Sequence, residues 1–159
     1  MYRFPGQIEL VTIGKLKTKH WLAAQNDYTK RLKRYGKFTL HELKDHVGRS
    51  VEDAIAVNRE GESLLKKASS ANRLILLTPT GKQMSSRALS QYIDRQCSTH
   101  GHIAFLIGGP LGFSNEVYQA AQAEIGLSKL TFTHEMARVI FLEQLYRACT
   151  ILNNEPYHK

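Results

Sequence analysis

The chain is poor in cysteine: Cys97 and Cys149 are its only two, and neither stands in a Cys-x-x-Cys pair. That excludes a disulfide framework, and both residues read as small packing side chains rather than ligands or nucleophiles. Apolar runs of membrane length are also missing, since none approaches the roughly 18 residues that cross a bilayer. Met1–Gly14 lacks a charged leader followed by a long apolar stretch and a small-residue cleavage site, so a cytoplasmic protein without a membrane partner is expected. Low-complexity tracts, fixed-period repeats and Pro/Gly/Ser linkers are absent too. The 159 residues suit one compact domain over 1–159. Acidic residues are outnumbered, with 14 Asp and Glu against 22 Lys and Arg and a formal charge of +8. Such an excess draws polyanions to the surface, although composition alone fits a solvated basic face equally well. The basic residues around Lys15–His20 and Lys30–Lys37 form no long amphipathic stripe, which disfavours a membrane-surface role.

What is present is an alternation of short apolar runs with longer helical windows. Strands are expected at Ile8–Ile13, Phe38–Leu43, Arg73–Leu77 and His102–Ile107. Helices are expected at Lys19–Tyr35, Val51–Ala68, Ser86–Cys97, Asn115–Glu124 and His134–Leu152, with a short extended piece at Lys129–Phe132. This order predicts an α/β domain on a mostly parallel sheet flanked by helices. Ligands of such sheets gather at the carboxyl ends of the strands, which directs attention to the loops after Leu77, after Ile107 and around Leu127–Thr133.

Three segments carry candidate chemistry. In Phe105-Leu-Ile-Gly-Gly-Pro-Leu-Gly-Phe-Ser114 a buried strand runs into glycines that let backbone approach a ligand, then into a helix that Ser114 can cap. The same residues also suit a plain tight turn, and they match neither G-x-G-x-x-G nor a phosphate loop. In Gly126–Arg138, Thr133 is a candidate N-cap, and His134 and Arg138 share one helical face. Together they suit a phosphate, a carboxylate or a base edge, or simply a wet surface. The run Asn153-Asn-Glu-Pro-Tyr-His-Lys159 brings together a ring, an imidazole and an ammonium suited to base stacking and phosphate contact, in a region that ordinarily frays.

Taken in order, Leu-Ile-Gly-Gly-Pro at 106–110, Leu-Ser-Lys-Leu-Thr at 127–131, His134 with Arg138, Leu-Tyr-Arg-Ala at 145–148 and the final Pro-Tyr-His-Lys resemble the ribosomal RNA large subunit methyltransferase H family of the SPOUT superfamily. The resemblance runs from Ile8 to Lys159. It implies a SPOUT-type fold with a C-terminal trefoil knot, a homodimer, and S-adenosyl-L-methionine as cofactor, with no metal. The implied reaction is methylation of N3 of a pseudouridine in 23S ribosomal RNA on the assembled ribosome. By the same resemblance, Leu77, Gly108, Gly109, Leu127, Ser128, Lys129, Leu130, Thr131 and Phe132 would line the cofactor pocket, while His134, Arg138, Tyr157 and His158 would face the RNA. Three departures stand out: Thr133 where the family commonly has proline, Leu111 after Gly-Gly-Pro, and extra residues before the first strand. The last make residues 1–7 a flexible extension by expectation. Methyl transfer to a ring nitrogen needs alignment and loss of the N3 proton, for which His134 or His158 is a candidate base and Arg138 a candidate stabiliser of negative charge. Two rival readings remain at this stage. One is a nucleotide-dependent oxidoreductase, against which the missing dinucleotide fingerprint counts; the other is a non-enzymatic ribosome-binding relative.

Overall fold

The computed structural model describes residues 1–159. Five parallel strands form one sheet: β1 (Gln7–Ile13), β2 (Lys37–Leu43), β3 (Arg73–Gln83), β4 (His102–Ile107) and β5 (Ala123–Gly126), in the order β2-β1-β4-β3-β5. Parallel strands covered on both faces carry nearly continuous apolar runs, and β1 and β4 are buried almost throughout. Successive side chains point to opposite faces. Ile8, Leu10, Ile103, Phe105 and Ile75 pack beneath α1 (Lys19–Leu32), α3 (Ser86–His100) and α5 (His134–Leu152). Val11, Ile13, Ala104, Leu106 and Leu76 pack beneath α2 (Asp53–Lys67) and α4 (Asn115–Ala120). Cys97 and Cys149 lie in the first of these layers, where burial pushes each thiol up to about 12. They are packing residues, as expected.

Three local expectations are corrected. The Thr78-Pro-Thr-Gly-Lys stretch is not a turn that ends β3; the strand runs on to Gln83, and only its pairing with β5 breaks, shifting register between Leu77 and Lys82. Pro79 has no N–H for the ladder, which accounts for a break rather than a reversal. Close approach also matters, because a Cβ on Gly81 would stand 2.3 Å from the Ile125 carbonyl carbon. Helix α4 stops at Ala120, and residues assigned to its end form β5 instead, a strand too short for its alternation to register in the sequence. Finally, the N-terminal segment is pinned rather than loose. Phe4 is buried in the main core against Gly36, and its N–H donates to the Tyr35 carbonyl at 2.9 Å. The Tyr2 hydroxyl donates to Asp94 at 2.8 Å, and the Tyr2 backbone pairs with the Asn153 amide.

Candidate active site

The three loops singled out in the sequence do converge at the carboxyl edge of β3, β4 and β5. They enclose a largely apolar cleft of about 110 Å³, lined by Leu77, Thr78, Pro79 and Ile107 from the strand ends, by Leu127, Ser128, Leu130, Thr131 and Phe132 from the loop after β5, and by Ala137 of α5. It continues into a wider recess bordered by Gly108–Phe113 and His134. Eight of the nine residues expected around a cofactor thus border one continuous space. Lys129 does not; it is exposed to solvent. Thr78, Pro79, Ile107 and Ala137 join the lining without having been anticipated, since nothing separates them in sequence from ordinary core.

The turn after β4 owes its shape to glycine. Gly112 has φ +79° and its N–H donates to Gly109 O at 3.0 Å. Ser114 then caps α4, its hydroxyl accepting from Val117 N at 3.4 Å. Thr133 caps α5 in the same manner, accepting from Met136 N at 3.3 Å, so the departure from proline leaves the entry to that helix intact. His134 follows as the first residue of α5, exposed at the rim of the recess.

Arg138 does not face outward as expected. It is 1 % exposed, and its guanidinium donates through Nη1 to Glu42 at 2.9 Å and through Nη2 to the carbonyls of Ile13 at 3.1 Å and Gly14 at 3.0 Å. Burial lowers its pKa, and Glu42 opposes that shift. Glu42 also accepts from Leu16 N at 3.2 Å, so one ion pair fixes the loop after β1 against the last helix. A shared helical face at i, i+4 is compatible with both placements; only the packing of α5 on α1 and the strand ends decides between them.

Tyr157 and His158 come together elsewhere, on the side of α5. The Tyr157 hydroxyl donates to Glu143 Oε1 at 2.9 Å, its ring meets Tyr146 with centroids 4.9 Å apart, and the Arg147 guanidinium lies 4.8 Å from the ring centre. Arg147 donates to Glu143 through Nε at 3.1 Å and lies 3.2 Å from His158 Nδ1. Arginine has no acceptor, so His158 accepts at Nδ1 and carries its proton on Nε2. Burial, reinforced by Tyr28 and Glu143, holds the Tyr157 phenol well above its ordinary pKa, leaving it a neutral donor. Glu143 and Arg147 had not been assigned a role; their i, i+4 spacing and the Leu-Tyr-Arg-Ala motif were the available signals. Arg147 lies 13 residues beyond His134 on one helix, or about 20 Å at 1.5 Å per residue. The two clusters do not meet within one chain.

Lys15, Lys17, Lys19, Lys44 and Arg49 are exposed in the loops after β1 and β2 and at the start of α1, on the same edge of the sheet as the cleft. Arg31, Lys33 and Arg34 belong to the far end of α1 and so to the opposite edge, and Arg31 is paired with Asp27 at 2.9 Å. These basic residues therefore divide into two groups, one at each edge of the sheet.

A sequence profile described as "Predicted SPOUT methyltransferase" matches residues 7–158, and the fold is of the SPOUT type, with the parallel sheet flanked by helices anticipated above. The solved tRNA (m1G37) methyltransferase of Aquifex aeolicus superposes with a TM-score of 0.54 at 12 % identity, over 89 % of this chain and 70 % of that one. Among curated relatives, the Ribosomal RNA large subunit methyltransferase H of Parabacteroides distasonis is 42 % identical over 154 residues, covering 96 % of this chain and 98 % of the relative. The protein of the same name from Christiangramia forsetii is 43 % identical over 153 residues, with 95 % and 98 % covered. The chain belongs to the ribosomal RNA large subunit methyltransferase H family.

Proposed function

We propose that this protein methylates ribosomal RNA of the large subunit, and more narrowly N3 of a pseudouridine in 23S RNA, with S-adenosyl-L-methionine as donor. The observation that carries this reading is the single cleft formed by Leu77, the Gly108–Gly112 turn and Leu127–Phe132, next to His134. Its apolar walls suit an adenine ring, and the wider recess into which it opens, about 560 Å³, lies within the roughly 300–1,000 Å³ typical of small-molecule sites. Bound there, the donor would supply an electrophilic methyl on a sulfonium. The chain's own task is to hold the base nitrogen in line with that methyl, an alignment worth up to roughly 7–11 kcal/mol in favourable cases, and to receive the N3 proton.

His134 is the candidate base, because it is exposed at the recess and makes no side-chain hydrogen bond that occupies its ring. His158 is better placed as a donor through Nε2–H toward a carbonyl oxygen of the base, while Tyr157, whose hydroxyl proton is given to Glu143, offers its ring for stacking. Arg138 takes no part in that contact. The separation along α5 supports a two-fold assembly in which residues 153–158 of one copy complete the cleft of the other. The exposed Lys15–Lys19 and Lys44–Arg49 loops would then meet RNA phosphates, with affinity falling as salt rises. Ribosomes lacking the modification, incubated with methyl-labelled donor, should acquire label at one 23S pseudouridine. Absence of donor binding, alone or with ribosomes, would leave only a ribosome-binding relative of these enzymes.

A further inference from the structure

Helix α2 buries Ala56, Glu60, Gly61 and Leu64 on one stripe, and the carboxylate in that stripe is 2 % exposed. One of its oxygens is used: Glu60 Oε2 accepts from His46 N at 2.7 Å and Val47 N at 3.4 Å, tying down the loop between β2 and α2. The other, Oε1, has no partner. A buried acceptor left unpaired is costly and calls for an explanation. Oε1 lies against the donor-side turn, 2.9 Å from where a Cβ on Gly109 would stand. The neighbouring Gly61 packs on the other end of that turn, where a Cβ would come within 2.3 Å of Ser114 Oγ. The dipeptide Glu60-Gly61 therefore backs the whole turn from the face opposite the cleft. Gly109 is absent from the residues with positive φ, so its lack of a side chain answers to this contact rather than to a backbone requirement.

We infer that Glu60 is a positioning residue for donor binding: when the cleft is filled and the turn closes on its ligand, a backbone N–H of the turn is delivered to Glu60 Oε1. From Gly109, against which Oε1 rests, to Gly112, Pro110 has no N–H and that of Gly112 is already given to Gly109 O, which leaves the amides of Gly109 and Leu111 in that stretch. Because the same carboxylate holds His46 and Val47, occupancy of the cleft is relayed to the loop that carries Lys44 and Arg49, on the RNA-facing edge. The inference rests on the assignment of the cleft to S-adenosylmethionine.

The test uses the full-length protein and S-adenosylhomocysteine as probe. In the wild type, amide hydrogen exchange should show new protection at Gly109 or Leu111, and added protection at His46, on adding the probe. Glu60→Gln keeps shape and an acceptor for His46 while presenting an NH₂ to the turn. It should keep the unliganded melting temperature, weaken probe affinity by roughly ten- to a hundredfold, and lose the protection at 109–111. Under turnover it should raise KM for the donor while leaving kcat at saturation within a few-fold, a split that a general loss of folding does not produce. Wild-type protein that binds the probe without protecting either amide overturns the inference and leaves the functional reading standing, as does Glu60→Gln binding with unchanged affinity. Wild-type protein that does not bind the probe overturns both.

Discussion

Replacing Arg138 separates a buried anchor from an RNA contact. In Arg138→Ala the Glu42 carboxylate loses its ion pair, and the Ile13 and Gly14 carbonyls lose their donors, at a site closed to water on most sides. Removing one member of a buried pair costs about 3–5 kcal/mol. The Arg138 Nε has no partner in the folded protein, which detracts from the native arrangement and moves the expectation toward the lower part of that range, about 3–4 kcal/mol. For a chain of this length each kcal/mol shifts the melting temperature by roughly 2–4 °C, so a fall of about 6–16 °C is expected. Arg138→Lys keeps a charge for Glu42 but cannot reach both strand-end carbonyls in the same geometry, and should fall between. Thermal unfolding followed by circular dichroism, without RNA or donor, is sufficient. A surface arginine would change stability by less than about 0.5 kcal/mol. An Arg138→Ala protein that melts within 2 °C or so of the wild type yet no longer methylates would show that the guanidinium faces the RNA after all.

Deleting Pro156–Lys159 should abolish methylation while calorimetric affinity for S-adenosylhomocysteine stays within a few-fold; comparable loss of both would contradict the division between cleft and tail cluster. Phe4→Ala removes a ring that is 3 % exposed in the main core and should destabilise by about 3–5 kcal/mol, read from denaturant unfolding. A flexible N-terminal segment would show no such loss. Both thiols are raised to about 12 in the fold, above the ordinary value near 8.5. They stay protonated where unfolded thiols ionise, so stability should decline between about pH 9 and 12, and native protein at pH 8 should resist alkylation until denatured. A decline displaced below pH 8, or rapid native labelling, would contradict their burial.

The class of fold was legible because β1 and β4 are buried on both faces and display it as uninterrupted apolar runs, with helices between them. β5 escaped notice because Ile125 is its one buried position, and a four-residue strand has no period to detect. The cleft was readable as three loops, since glycine, a cap residue and strand ends each leave a local mark. Its depth was not, because Thr78, Ile107 and Ala137 differ from other core residues only in what lies opposite them. Arg138 illustrates the same limit. Its spacing from His134 fixes a helical face, while the partners of that face, Glu42 and two strand-end carbonyls, lie about a hundred residues or more away in sequence. Glu143 and Arg147 looked like any i, i+4 pair until Tyr157 and His158 were seen resting on them.

The clasp between Tyr2 and Asn153 has a practical side. Asn153 is four positions ahead of Tyr157, so the two extremities of the polypeptide emerge beside each other and beside the segment assigned to RNA. An affinity tag joined ahead of Met1 would crowd that neighbourhood as much as one appended after Lys159. Enzyme assays are therefore best made on material cleaved at both ends, and weak turnover by a tagged preparation says little about the chemistry itself.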